Sequence, residues 1–355
     1  MRKIYIVISL ITLFSSLAIS QSEWSEVLDI QFGYGEYQIN LGEELQQREK
    51  ISIASFPAPR DILIGKDGLI YIPDKNGWRI LVYDKNGRFS RTIGIPQKDI
   101  KTSQFGVNIY LVEDPDERIY VHVTYQDRLF ALYRFDKDND GVFEFPFIDV
   151  KPKGDDVVGS IFSGGSGHIY IPSTPSEILR SNWENRIYKY DSDGRFLGMV
   201  DYFIEDSEGN IYQPGIEKDD EGYLWKFKKF GSPDTPTATT GDLDNLKTLS
   251  IPIGIKDDAR IEQSYVFRGF DNDMKIYVAN ESFVRIYEPP GELRWKVPLH
   301  LDILEHTMGF LSRYQNIKIS PNGQIYIFGL QTPRGKRELS YDASEVRFMV
   351  LRLAM

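Results

Sequence analysis

Residues 60–89 read RDILIGKDGLIYIPDKNGWRILVYDKNGRF. Three short apolar runs stand in this stretch, Ile62-Leu63-Ile64, Ile70-Tyr71-Ile72 and Ile80-Leu81-Val82-Tyr83, and turn residues punctuate them at Asp67-Gly68 and Asn86-Gly87. Glycine there supplies positive φ, and Asp or Asn bonds its own backbone two residues on, so the runs read as consecutive antiparallel strands. A fourth strand leads out from Phe89 to Ile93.

The unit recurs. Ile-Tyr stands at Ile70-Tyr71, Ile119-Tyr120, Ile169-Tyr170, Ile211-Tyr212, Ile276-Tyr277 and Ile325-Tyr326, at intervals of 49, 50, 42, 65 and 49 residues. Each copy follows a turn: Asp67-Gly68, Asp116-Glu117, Gly165-Ser166-Gly167, Glu208-Gly209, Asn272-Asp273 and Asn322-Gly323. Eight residues before each Ile stands a first strand, with Ile62, Leu111, Ile161, Phe203 and Ile317 in one column and Arg268 as its polar member. Four short strands per unit of this length mark a propeller blade. The sequence therefore predicts an all-β, six-bladed β-propeller with four-stranded antiparallel blades. After Ile325-Tyr326 one further strand is legible, Val346 to Leu353. The fourth strand of that blade is expected from 27–53, where Ile39-Asn40-Leu41-Gly42 resembles the Thr92-Ile93-Gly94 ending of the first unit, so that an N-terminal strand closes the ring.

Composition narrows the function. The 355 residues carry 42 Lys and Arg against 52 Asp and Glu, a net charge of −10, and no cysteine. Disulfides, Cys-ligated metals, thiol nucleophiles and a lipid anchor on Cys are excluded. The acidic balance, without a long basic run, argues against nucleic-acid partners. Residues 1–20 read as a secretory signal: Arg2 and Lys3 precede an apolar run, and Ala18-Ile19-Ser20 places small residues before a cut at Gln21. The apolar run falls short of the ~20 residues that span a bilayer. Residues 21–355 are expected to form a single propeller domain, an exported monomer of the periplasm or exterior with no stable membrane span after cleavage. Retention of the segment as an anchor is the alternative.

The landmarks Phe56-Pro57, Arg60-Asp61-Ile62, Asp67-Gly68-Leu69-Ile70-Tyr71-Ile72, Arg79-Ile80-Leu81-Val82-Tyr83-Asp84 and Asn86-Gly87-Arg88-Phe89 resemble an NHL repeat. The resemblance covers about residues 56–355, closest in the first and third units and most irregular in the fourth. It implies a fold shared by protein-binding and RNA-binding modules, metal-dependent lyases and lactonases.

In propellers of this kind the starts of the first strands and the loops between second and third strands share one face. Arg60, Asp61, Asn108, Tyr110, Asp201, Tyr202, Arg268, Gln315 and Asn316 are expected at the channel mouth, either as a ligand pocket or as tunnel filling. Trp78, Arg180, Trp183, Arg334, Lys336, Arg337 and Tyr341 lie in the corresponding loops, where aromatic and Arg side chains anchor partners or pack on the rim. His122, His300 and His306, with Asp302 and Glu305 nearby, offer imidazole and carboxylate to zinc, or belong to packed loops. Asp136, Asp138 and Asp140 before Gly141 resemble a calcium loop, but its twelfth place is Phe147 instead of the closing Glu, so a hairpin turn is the competing reading. No cofactor is expected beyond such a divalent cation, calcium or zinc.

The function read from this pattern is non-catalytic recognition of a protein, peptide or glycan of the cell envelope through the loop-rich face. The alternative is a metal-dependent lyase or lactonase-like hydrolase at the channel mouth.

Overall fold

The computed structural model describes residues 24–96, 107–125, 128–135, 142–144, 161–172, 187–200, 204–205, 211–218, 222–231, 248–255, 266–271, 273, 275–279, 282–288, 292–301, 304–305, 309–311, 316–333 and 338–354. The expected export signal lies outside them. Among the described residues no helix is long and apolar enough to cross a membrane.

The chain is an all-β propeller. Strands β1 (Trp24–Gly33), β2 (Ile39–Asn40) and β3 (Ile51–Ser52) precede the first blade. Blade one holds β4 (Leu63–Ile64), β5 (Ile70–Asp74), β6 (Arg79–Tyr83) and β7 (Phe89–Gly94). Blade two holds β8 (Val107–Glu113), β9 (Ile119–Tyr125), β10 (Arg128–Phe135) and β11 (Val142–Glu144). Blade three follows with β12 (Phe162–Ser163), β13 (Ile169–Pro172), β14 (Ile187–Tyr190) and β15 (Phe196–Val200). Blade four comprises β16 (Ile204–Glu205), β17 (Ile211–Lys218), β18 (Gly222–Gly231) and β19 (Thr248–Ile255). Blade five comprises β20 (Val266–Phe270), β21 (Ile276–Ala279), β22 (Phe283–Glu288) and β23 (Glu292–Pro298). Within each blade, successive strands pair in sequence order.

The expectation of six four-stranded blades is corrected: five have that form. The sixth Ile-Tyr copy lies in a six-stranded sheet built from β24 (Phe310–Leu311), β25 (Ile317–Ile319), β26 (Ile325–Gln331), β28 (Arg347–Leu353), β1 and β2. A short β27 (Ser340–Tyr341) pairs β3 apart from it. The physical reason is the free edge of β28. Without a partner it would leave a row of unpaired backbone groups, and β1 covers it antiparallel, Trp24 opposite Leu353 through Gln31 opposite Arg347. The covering strand thus begins at Trp24, and Ile39–Asn40 adds to β1 in parallel, away from β28.

The Ile-Tyr repeat has a packing explanation. Neighbours along a strand point to opposite faces, and each face of a blade meets a different neighbour. Ile70 packs in the cluster with Leu28, Phe348 and Val350, whereas Tyr71 packs with Ile109 and Val121 of blade two. Ile119 joins that second cluster, while Tyr120 packs with Ile169, Ile171 and Tyr188 of blade three. Tyr277 and Ile325 meet in the cluster between blade five and the closing sheet. The core is therefore a series of layers between sheets, and both residues of each of these pairs are buried.

The turns between first and second strands repeat one device. Asp114 N–H donates to the Arg118 carbonyl, Glu117 N–H donates back to Asp114, and Glu117 takes φ 63. Gly68, Gly167 and Gly323 hold the same left-handed place elsewhere, so the glycines are required by the bulged hairpin. Asp114 completes it: Oδ1 accepts from the N–H groups of Asp116 and Arg118 (both 2.9 Å), and Oδ2 from Arg118 Nε (2.7 Å) and the Tyr120 hydroxyl (3.1 Å). Asp271 accepts in the same way from Asp273 and Lys275 N–H and from the Tyr277 hydroxyl at 2.8 Å. Buried tyrosine hydroxyls thereby gain acceptors, while each ring fills a layer. Gly87, at φ 78, answers a second need: a Cβ there would stand 1.9 Å from the Val27 carbonyl oxygen, so only glycine admits β1.

Two predictions follow from these contacts. Asp114→Ala removes the acceptor that closes the turn and one of two carboxylates paired with Arg118, while the Tyr120 hydroxyl keeps the Ser192 carbonyl at 2.9 Å, so urea denaturation is expected to show a loss of about 2 kcal/mol; an unchanged midpoint would contradict the role given to this turn. Burial, ahead of the nearby carboxylates, pushes the hydroxyls of Tyr71, Tyr120 and Tyr277 well above the usual phenol range, and burial does the same at Tyr83 and Tyr190. Because the folded values exceed the unfolded ~10, their contribution to stability is intact below pH ~10 and falls as pH rises through the folded values. Denaturation midpoints measured between pH 8 and 11.5 should drop only beyond ~10.

Candidate functional site

The innermost strands β20, β25, β4, β8 and β12 come next to one another in that order, so the starts of β4, β8 and β25 share one rim of the central channel. An innermost strand has one edge facing the channel, and its backbone groups there need partners from neighbouring blades or solvent. Asp61, two residues before β4 and 6% exposed, supplies one. Its Oδ2 accepts from the Leu111 N–H of β8 at 3.4 Å, and its Oδ1 pairs with Lys318 Nζ of β25. One carboxylate thus ties three consecutive innermost strands. Ser163 Oγ donates to the Glu113 carbonyl at 2.6 Å and Lys66 N–H to the Glu113 carboxylate at 2.7 Å, which continues the stitching along the ring.

The other residues expected at the mouth fall into three environments. Arg60 is exposed, and Arg268 and Asn316 are half-buried. Asn108 and Tyr110 are buried on the blade-three side of β8, opposite Thr124 and His122 of β9. The Tyr110 and His122 rings lie 5.9 Å apart and tilted by 31°, so His122 sits in the layer between blades two and three. His300 follows β23 at φ 51, beside Leu299 in the layer between blade five and the closing sheet. These two imidazoles therefore belong to different layers. Among the described residues no three His, Asp or Glu side chains converge as metal ligands. Asp201, Tyr202, Gln315, Arg180, Trp183, Arg334, Lys336, Arg337, Asp302, His306, Asp136, Asp138 and Asp140 lie outside the described residues.

The β5–β6 loop of blade one is the best-defined part of this face. Asp74, fully buried, accepts from Arg79 Nε at 2.8 Å and from the N–H groups of Gly77 and Asn40 at 3.1 and 3.2 Å. Arg79 also donates to the carbonyls of Gly35 and Gln38, and Asn76 to that of Asn40, so the segment after β1 is clamped to the loop. Trp78 adopts φ 49 while its carbonyl accepts from Ile95 N–H at 2.7 Å. A bulky residue in the left-handed region costs about 1–3 kcal/mol, and the fixed contacts on both sides hold it there. The half-buried Trp78 ring packs against the layer containing Ile80, Val82 and Ile95. Tyr341, expected among the variable loops, is buried, and its hydroxyl accepts from Glu338 N–H.

Two lysines escaped the sequence reading. Lys318 stands between Ile317 and Ile319, in a place held by Leu63, Val112 and Phe162 in other units, and a charge at an otherwise apolar strand position was the available signal. Lys75 reads as an ordinary loop lysine, yet burial, with repulsion from Arg60 second, pushes its ammonium below the usual lysine range. It makes no hydrogen bond or ion pair with any described residue.

No protein-family model and no curated protein matches the sequence. Similarity to solved structures extends over most of the chain. A virginiamycin B lyase from Staphylococcus aureus is 12% identical with a TM-score of 0.42, covering 86% of this chain and 98% of its own. A gluconolactonase from Xanthomonas campestris is 13% identical with a TM-score of 0.44, covering 93% and 99%. A candidate exported protein from Bacteroides fragilis is 12% identical with a TM-score of 0.43, covering 95% and 97%. At such identities and scores the activities of these proteins do not transfer to this chain.

The Asp61 bridge makes a measurable prediction. Asp61→Asn and Lys318→Met should each lower stability by about 1–3 kcal/mol, discounted because the lysine is about one-third exposed. The double variant should lose less than the sum, with about 1 kcal/mol of coupling in a denaturant cycle. Strict additivity would show that the pair does not act as a unit.

Proposed function

We propose that this chain is an exported binding propeller without catalytic activity, which recognises a protein, peptide or glycan of the cell envelope through the face carrying the channel mouth and the loops between second and third strands. The same proposal takes the six-stranded sheet as the sixth blade of an NHL-like ring, with β25, β26 and β28 as its first three strands and β1 as its fourth. The signal read in residues 1–20 supports export, and the residues after it then form the working domain.

The observation that carries the reading is the state of Asp61. A lyase or hydrolase at the mouth needs a carboxylate whose oxygens meet substrate or metal. Asp61 instead gives one oxygen to Lys318 and the other to the Leu111 N–H. Its charge is committed to holding inner strands together. Exposed Arg60 and half-buried Lys75 and Trp78 stand in or beside the blade-one end of this face. Trp183, Arg180, Arg334 and Arg337 extend the same face in this proposal.

Two measurements on the purified mature protein test it. A pull-down from a cell-envelope fraction should recover a partner that is lost on Trp183→Ala with Arg334→Ala; an unchanged partner set would refute those anchors. Elemental analysis should find no stoichiometric, tightly held metal. A stoichiometric ion whose loss accompanies His122→Ala or Asp61→Asn would replace this reading with the lyase or lactonase alternative.

A further inference from the structure

After β1 the chain turns through Gly33 to Gln38 and projects two tyrosines from a backbone fixed by hydrogen bonds. Gln38 N–H donates to the Gly35 carbonyl at 3.2 Å, and the Gln38 side-chain oxygen accepts from Gly35 N–H at 2.8 Å. Blade one grips the same turn: Arg79 donates to the Gly35 and Gln38 carbonyls at 3.0 and 2.7 Å, and the buried Tyr83 donates its hydroxyl to the Tyr37 carbonyl at 2.9 Å. The tyrosine side chains of the turn are held far less. Tyr34 is 45% and Tyr37 61% exposed, and neither hydroxyl bonds a described residue. The Tyr37 ring leans on Phe89 of β7, with centroids 6.2 Å apart and a tilt of 57°, and Phe89 in turn meets the Tyr83 ring at 5.7 Å. Three residues separate the two exposed tyrosines, at most about 11 Å between their Cα atoms.

We propose that Tyr34 and Tyr37 form a stacking platform for a neutral, β-1,4-linked pyranose chain, on the outer wall where the closing sheet meets blade one. Phe89 lies at the end of β7 remote from the β5–β6 loop, and no residue assigned to the channel mouth takes part, so the platform stands independently of the reading of that face. The surroundings of the rings select the ligand. The apolar residues next to the turn, Phe32 and Ile39, are buried, while Gln31, Glu36, Arg88 and Ser90 are exposed. A protein hot spot is ringed by contacts that keep water out, which this polar surround does not supply. A sugar needs no such ring. Its C–H face covers one aromatic ring, drawn to the negative face of the phenol, and its hydroxyls stay with water and polar neighbours. Glu36 and Arg88 bring opposite charges, so the surround favours neither an acidic nor a basic ligand. An extended β-1,4 chain with equatorial substituents presents C–H faces at successive residues, which lets one ligand reach both tyrosines. Binding also orders little: the backbone is already pinned, and each tyrosine has only two side-chain torsions to fix.

The test is calorimetric titration of the purified mature chain with the β-1,4-linked probes cellotetraose and chitotetraose, with α-linked maltotetraose and with decaproline. At least one β-linked probe is expected to bind, with an affinity that changes little with salt. Tyr34→Ala and Tyr37→Ala should each weaken it about fivefold or more, and Tyr37→Leu, apolar but not aromatic, should do the same. Tyr34→Phe and Tyr37→Phe keep the ring and should stay within about twofold of the parent. Thermal melts are expected to show every variant folded, since both side chains project into solvent. The proposal is overturned if neither β-linked probe binds, if the Ala variants bind as the parent does, or if leucine serves as well as the ring. Maltotetraose binding as tightly as the β-linked probes would overturn the linkage class. Decaproline binding as tightly, with the same dependence on Tyr37, would assign the platform to proline-rich peptides and overturn the sugar. Loss of an envelope partner on Trp183→Ala with Arg334→Ala and loss of saccharide on Tyr37→Ala are separate readouts, so the mouth reading and the platform can each fail alone.

Discussion

A blade buries two faces against two different neighbours, and the rest of this molecule depends on that constraint. A strand sends successive side chains to opposite sides, so the adjacent pair Ile and Tyr serves both interfaces from one point. Ile119 fills the layer toward blade one and Tyr120 the layer toward blade three. Each layer is shared, which makes the ring cooperative: a blade removed from its neighbours would expose both. Tyrosine meets a further demand that phenylalanine would not, since its hydroxyl reaches the turn aspartate at Asp114 or Asp271 and ties the interface to the hairpin beside it.

The same logic governs the places where sheets would otherwise end. The outer edge of β28 is covered by β1, and the return of the chain through Gly35 to Asn40 is held by the buried Asp74–Arg79 pair of blade one. At the inner edge, backbone groups of β8 are met by Asp61 from blade one, whose charge is balanced from β25. Both devices join elements that are far apart in sequence and adjacent in the ring. Charge is used here chiefly as mortar. Asp61, with one oxygen on Lys318 and the other on the Leu111 N–H, is committed in this way.

The β5–β6 loop combines rigidity with unfinished electrostatics. Its backbone is pinned by Asp74, its Trp78 is held in a disfavoured conformation, and its Lys75 charge is not met by a described residue.

Read alone, the sequence determined the repeat, the strand and turn alternation, the all-β propeller and the need for an N-terminal strand, because period-2 patterning and turn glycines act within a few residues. It also led to the expectation that Arg60, Asp61, Asn108 and Trp78 share one face. Only the tertiary structure decided that five blades have four strands while the sixth repeat enters a six-stranded sheet, that the covering strand starts at Trp24, and that Ile39–Asn40 lies beside it in parallel. Only it separated His122 and His300 into different layers, and joined Lys318 to Asp61. The physical reason is range. Strand and turn formation depend on neighbours along the chain, whereas edge pairing, ion pairing and desolvation depend on residues that meet only when the ring closes.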